Sequence, residues 1–105
     1  MIQVISLRGR GGVRPVGVYV GRPSALGNPC LVGRDGTHED VIARYRRWLR
    51  AQWRRGGAVR QELERLAAQY RRDGQLTLLC WCAPRPCHAD VIREAMLEMC
   101  AKEVR

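Results

Sequence analysis

The stretch Leu76-Thr77-Leu78-Leu79-Cys80-Trp81-Cys82-Ala83-Pro84-Arg85-Pro86-Cys87-His88 decides the fold. Its first part is a short apolar run and the best strand in the chain, read over Gln75 to Trp81. Two prolines follow, which stiffen a turn and remove backbone donors. From Ala89 to Cys100 the period changes. Val91, Ile92, Ala95, Met96, Met99 and Cys100 recur at helical spacing and form a buried stripe. The window is therefore a strand end running into a helix start, where open α/β sheets place ligands and reacting groups.

Working outward, Ile2 to Leu7 alternates weakly and reads as a strand. Val16 to Val20 is β-branched and aromatic, interrupted by Gly17, and reads as a second. Arg8 to Pro15 is a Gly- and Arg-rich connection, and Gly21 to Pro29 breaks all periodicity and is a loop. Thr37 followed by Asp40 resembles a capping box. The helix it opens carries Val41, Ile42, Tyr45, Trp48, Leu49 and Trp53 on one stripe and ends at Gly56-Gly57. A second helix turns Val59, Leu63, Leu66, Ala67 and Tyr70 inward and stops at Asp73-Gly74. The order is β-β-α-α-β-α. It predicts one small α/β domain over residues 1–105, with a sheet of about three strands covered by three helices.

The net charge of +9 comes from 19 basic residues, all but Lys102 arginine, against 10 acidic ones. Such a balance favours anionic partners, although a basic helix face is also the ordinary solvated face of a helix. No segment has the build of a signal peptide, and no apolar run approaches the roughly 18 residues that span a bilayer. The expectation is a soluble, cytoplasmic protein with no membrane partner. Five cysteines, odd in number and clustered, fit free thiols, metal ligands or a reactive thiol better than a disulfide framework.

The cysteine window admits three chemistries. Cys87 and His88 fall at a helix start, where unpaired N–H groups favour an anion and a thiol gains thiolate character; Arg85 pushes the same way. On the first reading Cys82 or Cys87 is a nucleophile or redox-active thiol and His88 carries a proton. On the second, Cys80, Cys82, Cys87 and His88 bind zinc, with suitable ligand types at a poor spacing. On the third, the cysteines are small core residues and His88 satisfies the helix end. The Gly21–Pro29 loop offers Arg22 to grip a phosphate or carboxylate, with Ser24 and Asn28 as further polar groups. It is neither a Walker loop nor a dinucleotide fingerprint, and it reads equally as a tight turn. A parallel sheet would bring this loop and the cysteine window to one edge, in a single site with Arg22, Ser24, Asn28, Cys82, Cys87 and His88.

Taken together, Val18-Tyr19-Val20-Gly21-Arg22-Pro23-Ser24, Leu26-Gly27-Asn28-Pro29, Gly33-Arg34-Asp35-Gly36-Thr37, Tyr45 with Trp48-Leu49, and Cys80-Trp81-Cys82-Ala83-Pro84 with Pro86-Cys87-His88-Ala89-Asp90-Val91 resemble the small bacterial and phage family catalogued as domain of unknown function 4326. The resemblance runs from Val4 to about Ala95. It implies a one-domain α/β protein and no activity. The Cys-His end is more weakly similar to a second uncharacterised α/β group with a Cys-His-Arg signature, here Cys87-His88-Ala89. One position departs from the family, where an aromatic residue usually follows Gly-Asn-Pro and Cys30 stands here.

The leading expectation is an enzyme, a cysteine- and histidine-dependent transferase or hydrolase acting on a nucleotide or similar anionic molecule. Arg22, Ser24, Asn28 and Arg85 would hold the ligand, and Cys82, Cys87 and His88 would carry the chemistry. No cofactor is expected beyond zinc on the metal reading. The alternative is a non-catalytic nucleic-acid-binding module, zinc-stapled or not, using the Arg44–Arg60 helix face.

Overall fold

A computed structural model describes residues 1–8, 16–30, 32–81 and 87–102. The elements follow the predicted order: β1 (Ile2–Ser6), β2 (Val18–Tyr19), α1 (His38–Arg55), α2 (Ala58–Asp73), β3 (Leu76–Cys80) and α3 (His88–Lys102). The expected Arg8–Pro15 connection lies outside the described residues except for Arg8. β2 is shorter than its Val16–Val20 pattern, since only Val18 and Tyr19 pair with Leu78 and Leu79.

The sheet has three strands in the order β1-β3-β2, with both neighbours parallel to β3. Ile2 pairs with Leu76 and Ser6 with Cys80. Strand periodicity then sorts the faces. Ile2, Val4, Val18, Val20, Leu76, Leu78 and Cys80 all belong to one core, which also takes in Tyr45 and Leu49 of α1, Leu63, Leu66 and Ala67 of α2, and Ile92 and Met96 of α3. α2 and α3 thus pack against the strands on this face, and α1 completes the core by packing on those two helices. The central strand is its most apolar member because it is shielded on both edges as well as from above.

The helix ends obey local chemistry. Thr37 Oγ1 accepts from Asp40 N while Asp40 Oδ2 accepts from Thr37 N, a complete capping box. α2 ends at Gly74, whose φ of 72° lies in the left-handed region that glycine enters without a Cβ clash. No helix among the described residues is long and apolar enough to cross a membrane.

Candidate functional site

Because β2 and β3 run parallel, their carboxyl ends open on one edge of the sheet. The loop after β2 and the start of α3 meet there, and the start of α1 closes the third side. Together they border a cavity of about 350 Å3, lined by Tyr19, Gly21, Arg22, Asn28, Cys30, Val32, His38, Val41, Ile42, Trp81 and His88. That volume is at the small end of the roughly 300–1,000 Å3 found for small-molecule sites.

The loop wall is built by Arg22. One guanidinium nitrogen, Nη1, donates to the carbonyls of Asn28 and Cys30, at 3.3 Å each. Arg22 is exposed and makes no ion pair among the described residues, so its charge is not neutralised by a carboxylate. Asn28 is buried and its Oδ1 accepts from Cys30 N at 2.9 Å. Ser24 faces elsewhere: its hydroxyl donates to Gly21 O and closes the turn. Gly21 is required by its neighbour, since a Cβ there would stand 2.5 Å from Tyr19 Oη.

The α3 wall is built by the Cys-His pair. His88, 7% exposed, sets Nε2 2.6 Å from the Val20 carbonyl. A carbonyl can only accept, so Nε2 carries the hydrogen and Nδ1 offers its lone pair. Nδ1 lies 3.7 Å from Cys87 Sγ. Burial holds the imidazole below its usual pKa; the hydrogen bond to Val20 opposes this, and the nearby Arg22 charge adds to it. The ring is therefore neutral near pH 7. Tyr45 meets it edge-on at 5.2 Å and donates its hydroxyl to Leu26 O at 2.7 Å. Burial raises the Tyr45 pKa far above the ordinary phenol range, so it remains a donor.

Cys87 is 1% exposed and does not border the cavity. It stands at the cap position of α3, where its Sγ accepts from Ala89 N at 3.3 Å. Asp90 Oδ2 accepts in turn from Cys87 N at 3.0 Å. Sequence proximity to a helix start is thus met, with the thiol turned to the helix and away from the cavity. Cys80 is fully buried in the core. Cys82 and Arg85 lie outside the described residues. Among the described residues no three His, Cys, Asp or Glu side chains stand together as a metal site. Both nitrogens of His88 already face neighbours in the folded chain.

The sequence model of a family described as Domain of unknown function (DUF4326) matches residues 5–98. The chain belongs to this family. No curated protein and no solved structure matches the chain. In this DUF4326 chain the loop and the window that carried the resemblance both contribute to the cavity, the loop through Gly21, Arg22 and Asn28 and the window through Trp81 and His88. Cys30, which departs from the family pattern, borders the same cavity and is half-buried.

Tyr19, His38 and Trp81 line the cavity of this DUF4326 chain outside the expected site residues, as do the apolar Val32, Val41 and Ile42. Tyr19 and Trp81 fall within the predicted strands. A signal for His38 was present. Thr37-His38-Glu39-Asp40 and Cys87-His88-Ala89-Asp90 share a cap, histidine, any residue, aspartate order. Each places a histidine on the first helical residue at the rim of the same cavity.

Proposed function

We propose that this protein binds a small anionic metabolite of nucleotide type in the cavity at the carboxyl edge of its sheet. One observation carries the reading. Arg22, with no carboxylate partner among the described residues, borders a partly enclosed cavity together with polar Asn28 and a neutral His88. A guanidinium grips phosphate or carboxylate with two parallel hydrogen bonds, and a partly enclosed site strengthens that attraction. The Cys-His pair supports the site from behind. His88 ties the end of β2 to α3, and Cys87 caps the helix that His88 begins. Transferase or hydrolase chemistry on this pair would have to start from His88, whose ring reaches the cavity, since the Cys87 thiol does not.

Thermal unfolding in the presence of inorganic phosphate, nucleotides and small carboxylates tests the proposal. A ligand at a hundred times its Kd stabilises the folded state by about 2.7 kcal/mol, a shift easily read in Tm. Arg22→Gln should abolish that shift and Arg22→Lys should keep part of it. A panel that leaves Tm unchanged, or a shift that Arg22→Gln retains, overturns the proposal.

A second reading rests on α1. Arg47, Arg50, Arg54 and Arg55 make no ion pair among the described residues, whereas Arg46 pairs with Glu94 at 3.1 Å and Arg60 with Glu64 at 3.0 Å. Nucleic-acid binding by this face would weaken steeply with salt and would be lost in an Arg50→Ala, Arg54→Ala variant.

A further inference from the structure

The cavity has an aromatic wall as well as a charged one. Trp81 is 52% exposed, and its indole is not loose. Nε1 donates to Tyr19 Oη at 3.2 Å, and that hydroxyl donates to the Arg22 carbonyl at 2.7 Å. The residue whose backbone anchors this chain is the one whose side chain borders the cavity. A flat apolar surface is thus tied through two hydrogen bonds to the backbone of the residue that carries the cationic fork, and the fork itself is held by the Asn28 and Cys30 carbonyls. Such prior fixing lowers the ordering cost of binding a ligand that uses both.

The described lining also bears on the number of phosphates. Arg22 is the one guanidinium among the described residues at the cavity, and no described Asp or Glu lines it. Polyphosphates are usually held as metal complexes, with carboxylates completing the metal's shell. No described carboxylate is placed to do that here, and the volume of about 350 Å3 suits one small ligand rather than a dinucleotide. On this basis we infer that the ligand is a nucleoside monophosphate, with its phosphate on Arg22 and its base stacked on Trp81. The inference rests on the anion-binding proposal above and narrows it to one chemical class.

Calorimetric titration of the full chain with four probes tests it: inorganic phosphate, a nucleoside, the corresponding nucleoside 5′-monophosphate, and the triphosphate with magnesium. The monophosphate should bind at least tenfold more tightly than any of the other three. Trp81→Leu should weaken the monophosphate by roughly five- to 150-fold, the range for losing one base–aromatic stack, and leave phosphate affinity unchanged. Trp81→Phe keeps a ring and should recover most of the loss, which separates stacking from a fold defect. Arg22-dependent binding of phosphate, with no gain from the nucleoside or no effect of Trp81→Leu, overturns this inference and leaves the anion site standing. A preference for the triphosphate overturns it in the same way. Absence of binding by all four probes overturns both.

Discussion

The starts of α1 and α3 are built from one four-residue recipe and placed in opposite surroundings. At α1 the cap is Thr37, exposed, and its hydroxyl accepts from Asp40 N. At α3 the cap is Cys87, buried, and its thiol accepts from Ala89 N. The aspartate reaches back to the cap's N–H in both, at 2.9 Å from Asp40 and 3.0 Å from Asp90. The histidine that follows is half-exposed at position 38 and buried at position 88, where it is bonded to another element. The same local pattern therefore closes a surface turn in one place and joins strand to helix in the other. Its energetic weight is set by burial rather than by the motif.

The sharpest way to break this comparison is His88→Ala. It leaves the Val20 carbonyl without its donor and opens a void beside Tyr45, at an expected cost of about 2–4 kcal/mol. For a domain of this size that is a Tm fall on the order of 10–20 °C. His38→Ala should move Tm far less, and equal losses in the two variants would show that burial does not separate the two starts.

A smaller effect tests the caps themselves. Cys87→Val removes the acceptor of a buried N–H and should cost about 1–3 kcal/mol, with Cys87→Ser recovering part of it. Thr37→Val should cost about 1 kcal/mol, because water can replace an exposed cap. Urea denaturation of the three variants measures this. A Thr37 cost exceeding that of Cys87 would reverse the ranking.

The smallest effect is in pH. The folded-state pKa of His88 is depressed below 6.5, so its contribution is complete above that value and is lost as pH falls from there through the folded pKa. The Asp40 pKa is lowered by its hydrogen bonds to Thr37, below an ordinary value of 3.8. Its contribution is present above 3.8 and lost as pH falls below it. Denaturation midpoints should therefore decline in two separate windows. His88→Asn should remove the upper one and spare the lower. A single acid transition unaffected by His88→Asn would contradict this assignment.

Element order was legible because each helix of this chain carries an apolar stripe and the first two also carry a stop. Val41, Tyr45 and Leu49 bury as their spacing requires, and Gly56 and Gly74 end their helices. The exposed cap was legible for the same local reason, since a threonine with an acid three residues on is a recognised helix start. The Cys87 cap was not, because cysteine is read for its reactivity and its partner is an amide rather than a substrate or metal. The meeting of Arg22, Asn28 and His88 followed from parallel pairing, which the sequence allowed without requiring. Ser24 looks identical to Asn28 in the sequence argument. Only the turn shows that its hydroxyl is spent on Gly21 O. The Tyr19–Trp81 hydrogen bond joins residues 62 positions apart in the sequence and leaves no local trace.

The placement of β3 has a consequence for how the protein is made. β1 and β2 both pair with β3 and are not paired with each other. A ribosome releasing the chain from its amino end therefore exposes two strands and two helices before the strand that joins them exists. The early segments can form helical turns, but their strands have no ladder to enter until Leu76–Cys80 emerges. Folding should then be a late, collective event, and a nascent chain stalled before residue 76 should remain open to protease while the finished chain resists it.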